Sequence, residues 1–228
     1  MQNRRTFYDR MAAEGDWDTW TNNYETQRRI DLIFGELLSD IALHGKTLLD
    51  AGSGGGHFSA AAFQHGARVT SLDVGKNLLA QVAQRCGSER VMGSVLELPF
   101  AHDTFDVVMS TEVVEHTTAP LRALSEFARV LRPGGTLVVT TPGRLWQPVV
   151  RLASRLKLRP YQGYENFLWP HEAHQQLEAH RIEVDRFFGF NLLPLFNPRF
   201  AAFHRVGDRL GKRLTPLCVN FAIRGTKK

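Results

Sequence analysis

The sequence is poor in cysteine and has no long apolar run. Its 228 residues contain only two cysteines, Cys86 and Cys218, which stand far apart and lack the spacing of metal ligands. This pattern argues against a secreted disulfide scaffold and predicts a reducing, cytoplasmic location. No stretch approaches the roughly 20 apolar residues that a membrane span needs, and the N-terminus leads into no apolar signal-peptide core.

Acidic charge is scarcer than basic charge. The chain has 28 Lys and Arg against 23 Asp and Glu, which gives a net charge of +5, and most of the basic excess follows Pro142. Such an imbalance is found in proteins that meet nucleic acid, an anionic membrane surface or an acidic substrate, and also where charge only maintains solubility. The length predicts a single domain over residues 1–228.

A glycine-rich turn lies between a predicted strand at 47–51 and a predicted helix. Asp50, Gly52, Gly54 and Gly56 fall on alternate positions. Glycines at this spacing let a tight turn pass close beneath a ligand, because no Cβ stands in the way. The following helix points free N–H groups at the turn. The alternative is a plain strand–turn–helix corner without a ligand.

Asp50 bears on the kind of ligand. A carboxylate just before the glycines would repel a pyrophosphate but suits an ammonium group, which S-adenosylmethionine carries on its methionine end. A dinucleotide site would also have the pattern G-x-G-x-x-G, whereas here the third glycine comes one residue early. These features favour S-adenosylmethionine over a nicotinamide dinucleotide.

The hydrophobic pattern alternates between strand and helix. This alternation predicts an α/β fold, a Rossmann-like doubly wound, mostly parallel sheet with helices on both faces and a terminal antiparallel strand pair. The predicted strands are 47–51, 67–73, 90–93, 105–110, 136–141, 182–188 and 218–224. The predicted helices are 26–43, 58–65, 76–85, 121–131 and 172–180.

Two segments flank this pattern. Residues 1–28 are polar with many aromatics, which predicts an N-terminal cap over a pocket or an arm packed on the domain surface. Residues 142–170 look like an insertion or lid after the fifth strand. The basic helix predicted near 145–158 has three interpretations: a lid on the acceptor pocket, a helix lying in an anionic bilayer interface, or an ordinary packed amphipathic helix.

Candidate adenosyl contacts follow the second and third strands. Asp73 ends the second strand, where a carboxylate can accept both hydroxyls of a ribose, and Val74 follows it. After the third strand, Val95 and Leu96 are expected against the face of an adenine ring, with Ser94 near its exocyclic amine. Nicotinamide and S-adenosylmethionine sites both use a carboxylate to bind the ribose, so Asp73 does not distinguish between the two cofactors.

Six pieces of sequence in this order resemble the class I S-adenosylmethionine-dependent methyltransferases, and within them the O-methyltransferases of ubiquinone biosynthesis. They are Leu-Asp-Ala-Gly-Ser-Gly-Gly-Gly (49–56), Asp73, Leu-Pro-Phe (98–100), Phe-Asp-Val-Val (105–108), Glu-Val-Val-Glu-His (112–116) and Leu-Arg-Pro-Gly-Gly (131–135). The resemblance implies S-adenosyl-L-methionine as cofactor and S-adenosylhomocysteine as product.

The resemblance also implies roles for individual residues. Gly52 and its neighbours, including Ser53, would hold the methionine end, Asp73 the ribose, and Thr111 and Glu112 the cofactor's far side. The ubiquinone enzymes place an arginine before the first strand to meet the cofactor carboxylate. Here only Arg28 and Arg29 lie nearby, out of register, and that role stays unassigned.

The predicted activity is methyl transfer to a small aromatic or prenylated acceptor, with a phenolic or quinol oxygen as the favoured atom. A phenol must lose its proton, and His116 is the first candidate base because an unperturbed imidazole has a pKa near ~6.5. His171 is the second. Alternatives are N- or C-methylation and a non-catalytic S-adenosylmethionine-binding module.

Other partners and sites receive less support. Glu112, Glu115 and His116 together are adequate ligands for a divalent ion, so a metal requirement is left open. The absence of Asn-Pro-Pro-Tyr after the fourth strand argues against methylation of DNA bases, and nucleic acid is not the favoured partner. Peripheral membrane contact remains an alternative, and the sequence does not determine the oligomeric state.

Overall fold

A computed structural model of the chain describes residues 12–13, 23–156, 165–192, 199 and 201–228. Seven strands among them form one sheet: β1 (Thr47–Ala51), β2 (Arg68–Asp73), β3 (Glu89–Met92), β4 (Phe105–Thr111), β5 (Leu131–Pro142), β6 (Ile182–Phe190) and β7 (Asn220–Lys227). The longer helices are α1 (Asn23–Leu32), α2 (His57–Gln64), α3 (Lys76–Arg85), α4 (Pro120–Val130), α5 (Gln147–Arg155), α6 (Pro170–Ala179) and α7 (Ala201–Gly211).

The strand order is β3-β2-β1-β4-β5-β7-β6. The first five strands are parallel, whereas β7 runs antiparallel between β5 and β6. The predicted doubly wound sheet with a terminal antiparallel pair is therefore confirmed. Because β7 is reversed, its first residue Asn220 lies opposite Pro142 at the end of β5 and Phe190 at the end of β6. These three residues mark the edge where the parallel strands end, which is the ligand-binding edge of such sheets.

The sheet is covered on both faces by apolar helix surfaces. One core cluster packs α1 and α2 against the sheet through Phe34, Ala62 and Met109, among others. The other packs α4 and α6 against it through Phe127 and Leu177. Phe127 and Leu177 are completely buried. The two clusters fix the strands rigidly and leave the strand ends free to carry a site.

Two element boundaries differ from the sequence-based expectation. The helix predicted over 26–43 ends sooner, in a π-helical turn at Ile33–Leu37. The carbonyl of Leu37 accepts from Arg224 Nη1, and Ser39 Oγ donates to the carbonyl of Glu36. These partners satisfy the last helical carbonyls, which ends the helix. β5 begins at Leu131 and includes the Arg-Pro-Gly-Gly segment, where the register with β4 shifts.

The connection between β6 and β7 contains α7, which the sequence analysis did not predict. Its apolar residues are interrupted by glycines, so the helical period was not apparent. Most of the predicted cap (residues 1–28) lies outside the described residues, as do residues 157–164 of the predicted lid. In the described part of the chain, no helix is both long enough and apolar enough to cross a membrane.

Phe127 provides a test of the packing. Replacing Phe127 with Ala is expected to lower the free energy of unfolding by about 3–5 kcal/mol, because the side chain is fully buried and a cavity would remain. Urea denaturation followed by circular dichroism measures this loss. The control is Phe63→Ala, since Phe63 is 46% exposed and should cost less than half as much. Equal losses in the two variants would contradict the packing described here.

Candidate functional site

The loop between β1 and α2 is shaped by three glycines with positive φ. Gly52, Gly54 and Gly56 have φ values of +87°, +51° and +89°, a region that side chains with a Cβ rarely adopt. A Cβ on Gly52 would lie 2.5 Å from both γ-methyl groups of Val113, which follows β4. The loop therefore passes directly against the end of β4, and only glycine fits there.

Asp73, at the end of β2, holds this loop in place. Its Oδ2 accepts from the backbone N–H of Gly54 at 2.9 Å, and its Oδ1 accepts from the N–H of Gly75 at 2.9 Å. The amides of Gly52 and Ser53 also donate to the carbonyl of Leu72. The carboxylate thus ties the loop after β1 to the loop after β2, at the position where the sequence predicts a ribose contact.

Asp50 lies beneath the loop. Its side chain is 1% exposed, and its Oδ2 accepts from Ser59 Oγ at 2.6 Å. Ser59 Oγ in turn lies 2.7 Å from Ser71 Oγ, which lies 2.8 Å from Ser88 Oγ. Burial raises the pKa of Asp50 to about 7. Asp50 therefore joins β1 to α2 through a buried row of hydroxyls, and its role toward an ammonium group stays a prediction.

The end of β4 carries Thr111 and Glu112. Glu112 has a φ of +55°, which is unusual for a residue with a side chain. Its backbone N–H donates to the carbonyl of Thr140, and its Oε2 accepts from Asn220 Nδ2 at 2.7 Å. Burial raises the pKa of the Glu112 carboxyl, and the nearby Arg29 guanidinium opposes that shift. A strained residue held by two neighbouring strands is a common feature of functional sites.

Four buried polar atoms at this edge have no hydrogen-bond partner among the described residues. One is Thr140 Oγ1 on β5, and the other three are Ser53 Oγ on the glycine loop, Thr111 Oγ1 and Glu112 Oε1. A buried polar atom without a partner costs roughly 1–3 kcal/mol, so such atoms normally have one. The three atoms lie around the strand ends of β1 and β4, where a bound polar ligand would satisfy them.

Glu115 and His116 follow in a short 3₁₀ turn. Glu115 is 2% exposed, and its Oε2 accepts from Thr141 Oγ1. Burial raises the pKa of Glu115 well above its usual range, and the charge of Glu112 raises it further. Its Oε1 lies 3.8 Å from Nε2 of His116, whose side chain is partly exposed. The pair places an imidazole at the surface of the site with a buried carboxyl behind it.

A polar network connects this edge to α1 and α7. Asn191 Nδ2 donates to Asn220 Oδ1 and to Glu25 Oε2, and Asn191 Oδ1 accepts from Arg28 Nη1. Arg28 also pairs with Asp208 of α7. The sequence analysis missed Asn191 and Asn220, because no local motif connects residues so far apart in the chain.

Arg28 and Arg29 therefore have different environments. Arg28 is engaged by Glu25, Asn191 and Asp208. The buried Nε of Arg29 has no hydrogen-bond partner within the described part of the chain, and its charge acts on Glu112 and Glu115. A cavity of about 200 Å³ between α1, the end of β6 and α7 is lined by both arginines and by Phe188 and Lys212. Arg29 is thus the arginine oriented toward the strand ends.

The predicted adenine contacts lie in the loop after β3. Val95 is buried in the core, whereas Ser94 and Leu96 are partly exposed, and Ser94 Oγ accepts from the N–H of Leu96. Val74, next to Asp73, is also partly exposed. Ser94, Leu96 and Val74 therefore retain surface on the strand-end side, while Val95 supports the loop from the core.

His171 and the metal hypothesis receive less support. His171 is exposed at the start of α6 and stacks on Trp169, 6.2 Å between ring centroids. No group of three or more His, Cys, Asp or Glu side chains in the described residues is arranged to hold a metal ion. Glu112, Glu115 and His116, which the sequence had put forward as a metal set, therefore do not form one in this arrangement.

Residues 49–139 match the family model described as a methyltransferase domain. This match covers less than half of the chain and shows a likeness to methyltransferase domains. The matched segment contains the glycine loop, Asp73, the loop after β3 and the turn that carries His116, whereas Arg28, Arg29, His171, Asn191 and Asn220 lie outside it.

Curated relatives have methyltransferase names. The chain is 32% identical over 137 residues to the malonyl-[acyl-carrier protein] O-methyltransferase of Pectobacterium atrosepticum, covering 59% of this chain and 54% of that protein. It is 29% identical over 169 residues to the ubiquinone biosynthesis O-methyltransferase of Coxiella burnetii, covering 69% and 72%. The matched part thus spans only about half the length of the first relative.

The fold is also found among solved structures. Geranyl diphosphate methyltransferase in complex with S-adenosylmethionine superposes with a TM-score of 0.65 at 18% identity, covering 88% of this chain and 85% of the other. At this identity the likeness shows the fold alone.

Gly52→Ala tests the cradle formed by the glycine loop. The new Cβ would lie 2.5 Å from Val113, so we expect at least a tenfold loss of affinity for S-adenosylhomocysteine in isothermal titration calorimetry. Gly134→Ala is the matched control, because Gly134 has φ +75° but nothing within 4 Å of its Cβ position. That variant should lose only stability, about 1 kcal/mol, and keep its affinity. An unchanged affinity in Gly52→Ala would contradict the proposed cradle.

Asp50→Asn tests the buried carboxyl. The pKa of Asp50 is about 7 in the folded protein against 3.8 ordinarily, so the folded state holds the proton more tightly between these values. Its contribution therefore makes the free energy of unfolding fall as the pH rises from about 4 to about 7, by on the order of a few kcal/mol. The Asn variant should lack this fall when urea midpoints are compared across pH.

Asp106→Asn is the control with the opposite sign. Hydrogen bonds from Thr47 and Arg132 outweigh the burial of Asp106 and lower the pKa of its carboxyl. Its stabilisation is present above the unfolded pKa and is lost as the pH falls through the folded pKa. For the Asp50→Asn variant, a free energy of unfolding that depends on pH in the same way as that of the unmodified protein would show that Asp50 does not titrate between about pH 4 and about pH 7.

Proposed function

We propose that this protein binds S-adenosylmethionine and transfers its methyl group to a small-molecule acceptor, at a phenolic or quinol oxygen. The observation that carries the proposal is the set of unpaired buried atoms Ser53 Oγ, Thr111 Oγ1 and Glu112 Oε1 beside the glycine loop. The methionine end of S-adenosylmethionine carries charged and polar groups, and these three atoms are available to form hydrogen bonds with them. The likeness of residues 49–139 to methyltransferase domains supports the same cofactor.

The chain's residues are assigned as follows. Ser53, through its unpaired hydroxyl, meets the methionine end, and Arg29, with its unpaired Nε, meets the carboxylate. Asp73 faces the ribose while keeping its bonds to Gly54 and Gly75. Leu96 and Ser94 lie beside the adenine. S-adenosylmethionine supplies a methyl group on a positively charged sulfur, which is the electrophile of the reaction.

The protein contributes position and a proton acceptor. Holding an acceptor oxygen in line with a transferable methyl group can supply roughly 7–11 kcal/mol of the activation barrier. His116 takes the proton of the phenol, since its imidazole is partly exposed at the strand-end edge. Glu115 lies 3.8 Å behind Nε2, and because its pKa is raised well above the usual range it acts there as a neutral carboxyl that positions the ring. Glu115 is itself fixed by Thr141.

The names of the two curated relatives, both O-methyltransferases, support an oxygen acceptor. An amine acceptor is the second candidate, because Glu112 Oε1 has no hydrogen-bond partner among the described residues and can accept from an N–H group at the same edge. A non-catalytic module that only retains the cofactor is the third hypothesis from the sequence. His171 remains a secondary candidate base.

A product screen tests the activity. The purified protein is incubated with S-adenosylmethionine and a panel of catechols, quinols and amines, and the products are identified by mass spectrometry. We expect S-adenosylhomocysteine together with an O-methylated catechol or quinol. A methylated amine alone would establish the second candidate. Tight binding of S-adenosylhomocysteine without any product across the panel would favour the non-catalytic module.

His116→Gln is expected to lower kcat about 100-fold for a phenolic acceptor, since general-base catalysis typically contributes 10²–10⁴-fold. Glu115→Gln should change kcat far less than His116→Gln, because the raised pKa of Glu115 already leaves a neutral carboxyl beside the imidazole. Neither variant should change the Kd for S-adenosylhomocysteine. His171→Gln is the control, since His171 is exposed and stacked on Trp169. Unchanged kcat in His116→Gln would remove His116 from the mechanism.

A further inference from the structure

The exposed apolar side chains of this protein are concentrated in two segments. The described residues include eleven exposed large hydrophobic side chains, and eight of these lie on α5, on α7 or in the turns beside them. We call these eight the aliphatic face: Leu145, Val149, Leu152, Leu156, Val206, Leu210, Leu214 and Leu217. Six of them are 49–60% exposed, so the domain's own core does not cover them.

Each segment presents its aliphatic residues at helical spacing. From Leu145 through α5 they recur at intervals of four, three and four residues, which places them on one side of the helix. Val206 and Leu210 are four residues apart on α7, and Leu214 and Leu217 follow the end of that helix at Gly211. In α5 the only fully buried side chain is that of the polar residue Gln147. Trp146, Val150 and Ala153 are partly buried, whereas Val149, Leu152 and Leu156 are exposed, so the apolar side of α5 is packed only in part.

The two segments meet at the strand-end edge. Trp146 Nε1 donates to the carbonyl of Leu217 at 3.0 Å, and the N–H of Gly143 donates to the carbonyl of Val219 at 2.8 Å. Leu145 precedes Trp146, and Leu217 supplies the carbonyl that Trp146 binds. The aliphatic residues of the first segment therefore begin where those of the second segment end. The aliphatic face thus lies beside the edge that carries Glu112 and Asn220.

The charge around the aliphatic face is of one sign. Five exposed arginines flank it: Arg144, Arg151, Arg155, Arg209 and Arg213. Residues 143–156 contain no Asp or Glu, and residues 205–219 contain only Asp208. Asp208 is engaged by Arg28 and by the backbone N–H of Asn191. No acidic side chain of these two segments is left to balance the arginines.

We propose that the aliphatic face docks the protein on an anionic lipid bilayer. An interfacial helix combines an apolar side that enters the headgroup region with basic residues that attract anionic lipids. Each Lys or Arg near such a surface strengthens partitioning about fivefold. A protein partner of matching shape would be expected to meet a mixed rim of both charges, whereas the two segments that form this face carry almost only basic charge, with Glu36 of the neighbouring turn paired to Lys212. Docking in this way places the strand-end edge beside the membrane surface, independently of which acceptor is methylated.

Vesicle flotation tests the proposal with the full chain. The protein is mixed with vesicles of phosphatidylcholine alone or of phosphatidylcholine with phosphatidylglycerol, at low and high salt. We expect flotation with the anionic vesicles, weakened at high salt, and little with the neutral ones. The double variant Leu152→Asp/Leu210→Asp should reduce partitioning at least tenfold, and Arg151→Gln/Arg209→Gln should reduce it about tenfold or more.

Matched controls separate the aliphatic face from general effects. Phe63→Asp adds a charge at another exposed hydrophobic residue, and Arg68→Gln/Arg122→Gln removes two exposed arginines elsewhere. Both should float like the unmodified protein. Retained affinity for S-adenosylhomocysteine in every variant shows that the fold is intact.

Two results would overturn the proposal. One is the absence of flotation with anionic vesicles at low salt, or equal flotation of the Leu152→Asp/Leu210→Asp variant. The other is a concentration-dependent dimer, measured by light scattering, that disappears in that variant while no vesicle binds. The second result would assign the aliphatic face to contact between two copies of the chain.

Discussion

The site depends on the two hydrogen bonds that the Asp73 carboxylate accepts from the loops after β1 and β2. One comes from Gly54 and the other from Gly75, so a single side chain fixes both loops at the strand-end edge. Positive φ at Gly52 and Gly56 lets the first loop lie directly against Val113 and Val82. Without this contact the loop could not stay close to β4, and the polar atoms of Ser53 and Glu112 would not face a common space.

The buried side of the same loop is held by a different kind of interaction. Asp50 accepts from Ser59 in a row of hydroxyls that continues to Ser71 and Ser88. Because the carboxyl is out of water, its pKa is raised to about 7, and its charge is sensitive to conditions near neutrality. The loop is therefore held by two buried carboxyl groups, Asp73 through backbone N–H groups and Asp50 through the Ser59 hydroxyl.

The turn after β4 combines strain, burial and charge. Glu112 adopts a positive φ and is held by Asn220, while Glu115 is buried behind His116. Asn220 lies at the start of β7, and Asn191 lies just beyond β6, so the reversed strand brings the last part of the chain to the site. The antiparallel pair thus completes the site as well as the sheet.

Much of the fold and part of the site could be predicted from the sequence. The strands from β1 to β4, the glycine loop and Asp73 are local patterns, because alternating apolar runs and glycine spacing act over a few residues. The same patterns predicted α3 and its bounds. The early end of α1 could not be predicted, since Arg224 reaches it from a distant part of the chain, and α7 was missed because glycines interrupt its apolar residues.

The sequence by itself determined the order of strands and helices and the kind of ligand that the glycine loop suits, because these follow from short-range periodicity and backbone freedom. Only the tertiary structure decided which arginine faces the site, which asparagines hold Glu112, and which side of α5 is exposed. Those outcomes depend on contacts between residues that are close in space and far apart in the chain, and no local pattern encodes such contacts.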